Sequence, residues 1–168
     1  MIDAIVTGAG GFIGQALCKT LTDQGLNILS MSKEYGDLTD PKAWTSLPPA
    51  HVLFHLAGRS FVPKSWDHSL DYLNVNVVST QLALEYCRLN GARFVFASAY
   101  VYGLPQNLPI KESHPIVPNN PYALSKYLAE QLCEFAVQNH EITATALRVF
   151  NVFGPNQRPE FLIPTIIN

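Results

Sequence analysis

Two side chains in the second half of the chain are of types that can share a proton. Tyr122 and Lys126 are four residues apart in a segment of helical periodicity, so both project from one face of a helix, one turn apart. A free phenol has a pKa of about 10 and is ionised to only about one part in a thousand at pH 7. A neighbouring ammonium favours the phenolate, which would make Tyr122 a usable base. Any helix can carry this pair on its surface, so the pair alone decides little.

Ser98 makes a catalytic interpretation the better one. It ends the apolar run Arg93–Ser98, which predicts a buried strand with the Ser98 hydroxyl at the carboxyl edge of a sheet. A hydroxyl there could hydrogen-bond a substrate oxygen as that oxygen gains or loses a proton. The alternative is a simple strand-end cap. Together, Ser98, Tyr122 and Lys126 predict a catalytic site for proton transfer.

A glycine-rich turn near the start of the chain predicts a phosphate-binding loop. The run Thr7–Gly14 joins the first predicted strand to the first predicted helix. Gly8 permits a tight turn, Gly11 leaves room for a pyrophosphate, and Gly14 allows the helix to pack closely on the sheet. The start of the helix offers free N–H groups and the positive end of its dipole to the anion. The predicted cofactor contacts in this loop are Gly8, Gly11, Phe12, Ile13 and Gly14.

The residues after the second predicted strand bear on which dinucleotide binds. The acidic residue that commonly holds a ribose 2′-hydroxyl there is absent, and Ser32 and Lys33 occupy the position. These side chains would accept a 2′-phosphate at least as well as a free hydroxyl, unless Lys33 is merely solvated. NAD and NADP therefore both remain open as the cofactor. Asp37, followed by Leu38, could accept a hydrogen bond from the adenine amino group, and Asp40 could cap a short helix.

The apolar pattern places these residues in an α/β fold. Short β-rich runs predict strands at Ile2–Thr7, Leu26–Met31, His51–Leu56, Arg93–Ser98 and Ile142–Val149. Segments of helical period lie between them, at Phe12–Gln24, 67–90 and 122–139. This alternation predicts a doubly wound parallel sheet with right-handed crossovers. The stretch between Met31 and Asp37 is too short for the usual second helix and third strand, so we expect a sheet one unit shorter than in the fullest versions.

The last predicted helix has a clear start. Asn120 is a typical N-cap residue and Pro121 suits the first helical position. Four large apolar residues recur at helical spacing and predict the buried stripe of this helix: Leu124, Leu128, Leu132 and Phe135.

Composition excludes several classes of protein. The chain has 168 residues, of which 48% are hydrophobic and 14% charged, as expected of one globular domain that needs no disulfide or metal. The formal net charge of −2, with dispersed basic residues, argues against a nucleic-acid or membrane partner. Cys18, Cys87 and Cys133 are far apart and are expected to be buried free thiols in helices. With no apolar run of membrane-spanning length and no leader, the sequence predicts a cytoplasmic enzyme without a metal site.

The motifs together resemble the extended short-chain dehydrogenase/reductase family, the NAD-dependent epimerase/dehydratases of sugar nucleotides. In the order of that family they are Thr7–Gly14, His55–Gly58, Asn76 with Thr80, Ser98–Gly103, Tyr122–Lys126 and Arg148–Pro155. The resemblance spans nearly the whole chain and implies a Rossmann fold that binds NAD or NADP. It also implies further cofactor contacts at Leu56, Ala57, Gly58, Asn76, Tyr122, Lys126 and Phe150, and substrate contacts at Ser60, Ser98 and Asn151.

The resemblance narrows the reaction to hydride transfer at a sugar carbon. The 4,6-dehydratases of the family carry an Asp-Glu pair where this chain has Ala99 and Tyr100, so elimination of water lacks its acid and base. The spacing over 61–80 resembles UDP-glucose 4-epimerase, whereas the shortened segment after the second strand resembles the dTDP-4-dehydrorhamnose reductases. A 4-epimerase is the first expectation, and an NADPH-dependent 4-keto-reductase is the second. A non-catalytic NAD(P)-binding module is the third.

Family members continue with a small domain that holds the sugar nucleotide, and we expect this domain to be truncated or missing here. Residues 1–168 would then be the NAD(P)-binding domain, either as a fragment of a longer protein or as a minimal form. The resemblance also implies a homodimer formed through helices near 76–90 and 122–139. The apolar residues offered for this interface are Leu82, Tyr86, Tyr127 and Leu128.

Overall fold

The computed structural model describes residues 2–167 as a parallel sheet with helices on its two faces. The five strands are β1 (Ile2–Thr7), β2 (Ile28–Met31), β3 (Ala50–His55), β4 (Arg93–Ser98) and β5 (Ala144–Arg148). They lie in the order β2-β1-β3-β4-β5, and every neighbouring pair is parallel. The predicted doubly wound fold is therefore confirmed, with each predicted strand found to within two residues of its expected bounds.

Seven α-helices connect or follow the strands in the described residues. They are α1 (Phe12–Asp23), α2 (Lys42–Thr45), α3 (Val62–Asp67), α4 (Ser69–Leu73), α5 (Ser79–Asn90), α6 (Pro121–His140) and α7 (Leu162–Ile167). A 3₁₀ turn spans Lys33–Tyr35 and a π-helical turn spans Asn74–Val78. The stretch 67–90, predicted as helical, is thus interrupted at His68. Beyond it, α4 continues into α5 through the π turn, in which the helix is locally wider. Such a turn inserts an extra residue and often marks a functional site.

The order of the strands creates a cleft at the carboxyl edge of the sheet. β1 lies between β2 and β3, so Thr7 at its end faces Met31 on one side and His55 on the other. The chain leaves β1 towards β2 and later returns to β3 on the opposite side. Ligands of doubly wound sheets bind at this reversal of strand order.

The expected shortening of the sheet is confirmed in the part of the chain that the structure describes. Only the 3₁₀ turn Lys33–Tyr35 and the four-residue helix α2 separate β2 from β3.

The predicted start of the last long helix is found as well. Asn120 caps α6 by accepting a hydrogen bond from the Ala123 N–H at 2.8 Å, and Pro121 takes the first helical position.

The large apolar stripe predicted for α6 does not face the core, and that prediction is wrong. Leu124 is 43% exposed and Phe135 57% exposed, and Leu128 also lies at the surface. Only Leu132 of the four packs partly against the core. The buried face instead carries mostly small residues: Ala123, Ser125, Ala129, Cys133 and Ala136, with Lys126 and Glu130. Small side chains let the helix axis approach the sheet closely, so the large ones are left outside.

Two of the three cysteines are buried as expected. Cys87 and Cys133 lie in the core, where burial raises the pKa of each thiol to about 12. Cys18 is only half-buried, and its sulfur accepts a hydrogen bond from Ser30 Oγ at 3.3 Å. All three are free thiols.

Candidate active site

In the turn after β1, Gly8 and Gly14 are required by the packing of the protein itself, whereas Gly11 is not. Gly8 has a φ of 69°, and a Cβ atom on it would lie 2.7 Å from the Ala57 nitrogen. A Cβ on Gly14 would lie 2.2 Å from the Gly8 carbonyl oxygen. Packing between the turn, α1 and the residues after β3 therefore demands these two glycines. At Gly11 a Cβ would meet only the Gly8 oxygen, at 3.1 Å, so the space beside Gly11 is open to a ligand.

A buried histidine, His55, joins the ends of β1 and β3. It lies in one of the family motifs of the sequence, but no role was predicted for it. His55 lies 2.8 Å through Nδ1 from Thr7 Oγ1 and 3.2 Å through Nε2 from Ser79 Oγ. Because Ser79 donates its own proton to the Val75 carbonyl, His55 donates at Nε2 and accepts at Nδ1. The ring is therefore neutral, and complete burial lowers the pKa of His55 to about 3. Polar residues that end two otherwise apolar strands were the available signal.

Thr7 extends this network to the candidate cofactor cleft. Its Oγ1 atom also accepts a hydrogen bond from the Ala57 N–H at 3.3 Å. Since Ala57 is the residue that packs against Gly8, the network fixes the two turns that face each other across the cleft.

Asn76 connects the turn after β3 to α6. It is buried in the π turn, where its side chain accepts from the Arg59 N–H at 2.8 Å and donates to the Arg59 carbonyl at 3.1 Å. It also donates to Ser125 Oγ at 2.9 Å, and Ser125 in turn donates to the Tyr122 carbonyl. All three side-chain bonds go to protein atoms, so Asn76 acts as a support between Gly58 and α6.

Lys126 and Tyr122 lie on the face of α6 that meets the sheet. Lys126 is only 5% exposed, and its Nζ atom lies 4.2 Å from the centroid of the Phe96 ring. Burial lowers the pKa of Lys126 to about 8. The Tyr122 ring packs edge-on against Tyr72, and burial raises the pKa of Tyr122 to about 12. A phenolate at neutral pH therefore requires added positive charge close to Tyr122.

Ser98 stands at the end of β4, as predicted, but its hydroxyl is engaged. It is buried and donates to Glu130, a residue on α6 one turn beyond Lys126. Arg148, the register partner of Ser98 on β5, holds the same carboxylate with both Nε and Nη2, the latter at 2.8 Å. Sequence reasoning missed Glu130, although its spacing from Tyr122 and Lys126 puts it on their helix face.

Aromatic rings line the edge beyond Ser98. Tyr100 donates its phenol proton to the Gly103 carbonyl at 2.6 Å, and the Phe150 ring meets it edge-on at 5.1 Å. Phe150 is about half exposed, as a residue that faces a ligand would be. Ala99 is buried. The two positions that carry Asp and Glu in the 4,6-dehydratases of the family thus carry here the buried methyl group of Ala99 and the phenol of Tyr100, which is hydrogen-bonded to Gly103.

The remaining predicted cofactor residues are spread along the same edge. Ser32 lies next to the glycine turn, since a Cβ on Gly10 would be 3.6 Å from its Cβ, and it donates to Glu34. Lys33 and Asp37 are exposed. Asp37 accepts from the backbone and side chain of Thr39, which lowers the pKa of its carboxyl.

The other residues predicted to contact the cofactor or the substrate differ in how exposed they are. The Leu38 side chain packs against the core, and its carbonyl accepts from Trp44 Nε1 at 3.0 Å. Leu56 and Ala57 are half-buried, whereas Gly58, Ser60 and Asn151 are exposed. At the start of α1, Phe12 is half-buried and Ile13 is exposed. Their contacts with a cofactor or substrate remain predictions.

Residues 2–167 contain neither a metal-binding cluster nor a membrane-spanning helix. No group of three or more His, Cys, Asp or Glu side chains is arranged to hold a metal ion in that range. Nor does any helix within it have the length and apolar character needed to cross a membrane.

Comparison with known proteins agrees with these motifs. A model of the NAD dependent epimerase/dehydratase family matches residues 4–168. An uncharacterized UDP-glucose epimerase of Bacillus subtilis is 33% identical, over 97% of this chain and 60% of its own length. A GDP-6-deoxy-D-mannose reductase of Pseudomonas aeruginosa is also 33% identical, over 94% of this chain and 55% of its own length.

Solved structures share the fold. MoeE5 in complex with UDP-glucose and NAD has a TM-score of 0.88 at 34% identity, covering 98% of this chain and 60% of that one. RMD from Pseudomonas aeruginosa, complexed with NADPH, has a TM-score of 0.86 at 31% identity, covering 96% of this chain and 58% of that one. The chain thus spans at most about 60% of the length of these relatives. The extent of the match and the shared motifs show that the chain belongs to the NAD-dependent epimerase/dehydratase family.

Proposed function

We propose that residues 1–168 are the NAD(P)-binding domain of an enzyme that acts on nucleotide-activated sugars. The observation that carries the proposal is the position of Lys126. Its buried ammonium lies one helical turn from Tyr122 and beside Gly58, where a Cβ would be 3.9 Å from Nζ. Ligands of this fold bind where the strand order reverses. A cation placed there could bind a ribose hydroxyl, and the neighbouring phenol could bind a substrate hydroxyl.

The glycine turn fits a dinucleotide. Gly8 and Gly14 bring the backbone close to the cleft, and the space beside Gly11 is open apart from one carbonyl oxygen. Phe12 and Ile13 begin a twelve-residue helix whose first N–H groups point towards that space. The relatives of known structure hold NAD or NADPH, which supports either dinucleotide here. A bound nicotinamide would supply a hydride acceptor and donor.

The protein's own residues would manage the proton. Tyr122 takes the proton of a sugar hydroxyl when that carbon is oxidised and returns it on reduction. Lys126 binds ribose hydroxyls, and its charge offsets the burial that raises the pKa of Tyr122. Ser98 has its proton committed to Glu130, so towards a ligand its oxygen acts as an acceptor.

A 4-epimerase is the first candidate reaction, and a 4-keto-reductase is the second. Both reactions would use Tyr122 at the same sugar oxygen. In an epimerase Tyr122 would take the hydroxyl proton and later return it, whereas in a reductase it would only donate a proton to the keto oxygen. The relatives include enzymes named UDP-glucose 4-epimerase and GDP-6-deoxy-D-mannose reductase, which supports keeping both candidates. Ala99 is buried and Tyr100 is engaged, so neither of the two positions after Ser98 supplies the carboxylate that a 4,6-dehydratase would use there.

The test uses the complete protein. Conversion of UDP-glucose to UDP-galactose without net change in NADH absorbance would support the epimerase, and NADPH consumption with a 4-keto nucleotide sugar would support the reductase. Tight NAD(P) binding by calorimetry with neither reaction would favour the non-catalytic module. No binding of either dinucleotide would refute the proposal.

A homodimer through α5 and α6 is proposed as well. The exposed surface of α6 carries Leu124 and Leu128, more apolar area than a solvated helix face needs. Tyr86, which was expected to contribute, is buried and donates to the Pro48 carbonyl at 2.7 Å, so it cannot take part. Sedimentation of a Leu128→Glu variant as a monomer, beside a dimeric parent, would support this interface. A parent that is monomeric at high micromolar concentration would count against it.

A cytoplasmic location is also proposed, and the free thiols support it. Cys87 and Cys133 lie unpaired in the core, as is usual in a reducing compartment. Fractionation of cells that express the complete protein would test this proposal.

A further inference from the structure

The Lys126 ammonium occupies an unusual environment for a buried charge. It makes no hydrogen bond to another side chain within residues 2–167, although the residue as a whole is only 5% exposed and the Nζ atom keeps little access to solvent. Taking an ammonium out of water is costly unless something in the protein replaces the solvation. The groups near Nζ must therefore supply a substitute for water.

The titratable groups around Lys126 do not provide a free counterion. Glu130 and Cys133 on its own helix both favour the charged lysine, but the Glu130 carboxylate is already bound to Arg148 and Ser98. The thiol of Cys133 is protonated, since its pKa is raised to about 12. On β3, the neutral His55 has both ring nitrogens engaged.

Tyr122, one turn before Lys126, is likewise uncharged, because burial raises its pKa to about 12. The nearest complementary group is then an aromatic face. The Phe96 ring lies with its centroid 4.2 Å from Nζ, well inside the distance of about 6 Å at which a ring attracts a cation.

The Phe96 ring is held in this orientation by its neighbours. It is fully buried and stacks on Phe94 with centroids 6.2 Å apart and an angle of 10° between the ring planes. On another side it stacks against His55 at 6.1 Å and 21°. The ring cannot turn away without disrupting the core, so its negative face is a permanent feature of the site.

We propose that Phe96 is a positioning residue that holds Lys126 charged and in place beneath the cleft before any cofactor binds. The value of this arrangement rests on the proposed function, in which Lys126 binds ribose hydroxyls and assists Tyr122. Burial has already lowered the pKa of Lys126 to about 8, close to the neutral range. Loss of the ring face would leave a substantial fraction of Lys126 neutral at pH 7.

The test measures the pH profile of Lys126 directly in the 168-residue chain without cofactor. Trace acetylation by acetic anhydride, which attacks only the neutral amine, is quantified by peptide mass spectrometry, with exposed Lys64 as an internal reference. Phe96→Leu removes the ring, and Phe94→Leu is the matched control because Phe94 is also a buried ring of β4. We expect the labelling midpoint of Lys126 to fall by roughly one pH unit in Phe96→Leu and by clearly less in Phe94→Leu, where the Phe96 ring remains but loses its stacking on Phe94.

A second pair of variants guards against misfolding. Replacing Phe96 or Phe94 with 3,4,5-trifluorophenylalanine nearly keeps the ring's shape but largely cancels the negative electrostatic potential of its face. The fluorinated residue at position 96 should lower the midpoint, and the one at position 94 should not. Equal midpoints in the two fluorinated proteins, or in the two leucine variants, would overturn the inference.

The same labelling separates this inference from the proposed function. NAD(P) should protect Lys126 in the parent chain if the proposed function is right. If protection fails while the midpoint still depends on Phe96, the cofactor assignment is refuted and the role of the ring stands.

Discussion

Ser98 donates its hydroxyl proton to the carboxylate of Glu130, which lies eight residues beyond Tyr122 on the same face of α6. Arg148 holds the other side of that carboxylate and also donates to Tyr102 Oη at 2.8 Å. One ion pair, with Glu130 buried and Arg148 half-buried, thereby joins β4, α6, β5 and the turn after β4. It also decides that Ser98 has an oxygen, and not a proton, to offer a ligand.

Glu130→Gln should destabilise the chain by about 2 kcal/mol, because the charge-assisted hydrogen bonds from Ser98 and the half-buried Arg148 lose their anionic acceptor. Urea denaturation monitored by circular dichroism would measure the loss. Glu134→Gln is the matched control, since Glu134 lies one turn further on at the surface and bonds only to Gln131 and Gln138. Equal midpoints for the two variants would show that the ion pair contributes little.

Tyr122→Phe should retain cofactor binding and lose the reaction. The ring still packs on Tyr72, whereas the acid–base hydroxyl is gone, so turnover by the complete enzyme should fall by roughly 10²–10⁴-fold. Tyr127→Phe, on the same helix, should leave turnover unchanged. Near-normal turnover of a UDP- or dTDP-sugar by the Tyr122→Phe variant would leave the non-catalytic module as the better interpretation.

Substitution of the other two catalytic candidates, Lys126 and Ser98, should have effects on rate and affinity that differ from those of Tyr122→Phe. Lys126→Met should lower both the rate and the affinity for the cofactor, because Lys126 is assigned to the ribose and to the phenol. Ser98→Ala should have the smallest effect on rate, since Arg148 still holds Glu130 when the Ser98 hydroxyl is removed.

Gly11 and Gly14 should fail in different ways when substituted. Gly14→Ala places a Cβ 2.2 Å from a backbone oxygen and should unfold the chain or destabilise it by several kcal/mol, roughly. Gly11→Val should leave a folded chain, because space is open there, but should abolish NAD(P) binding as followed by calorimetry. Gly10→Ala is the control for both, since its Cβ would be in ordinary contact, 3.6 Å from Ser32 Cβ. A folded Gly11→Val variant with undiminished affinity would remove the turn from the proposed cofactor site.

The cofactor preference should change with charge at the end of β2. Ser32 follows β2 and lies beside the glycine turn, and Ser30 is exposed on β2, so an aspartate at either position would repel a 2′-phosphate. Ser30→Asp and Ser32→Asp should both raise the ratio of NAD to NADP affinity. An unchanged ratio in calorimetric titrations of both variants would mean that the ribose lies elsewhere.

Stability should fall in acid because of His55. Its native pKa of about 3 lies below the value of about 6.5 expected when unfolded, so the unfolded chain binds more protons between these pH values. The free energy of unfolding should therefore decrease as the pH falls below about 6.5, by at most about 1.4 kcal/mol per pH unit from this residue. Chemical denaturation of the parent chain and of His55→Gln across this range would isolate the contribution. Parallel pH dependences would contradict it.

Local patterns in the sequence determined most of the fold and part of the site. Strand bounds, the cap at Asn120 and the absence of a unit after β2 follow from short-range periodicity and backbone preferences. The glycine turn, Tyr122 and Lys126 could be identified because each motif lies within one element or one turn. The spacing of residues within an element says which of them share a face.

Tertiary structure decided which face is buried and which distant residues meet. On α6 the buried face is the one that brings Ala129 and Cys133 against the sheet, and the large leucines are left outside. The contact of Ser98 with Glu130 joins residues 32 apart in the chain, and that of Thr7 with His55 joins residues 48 apart. Such pairs depend on strand order, register and helix placement, and no local periodicity encodes them, because their energies arise only once the sheet has assembled.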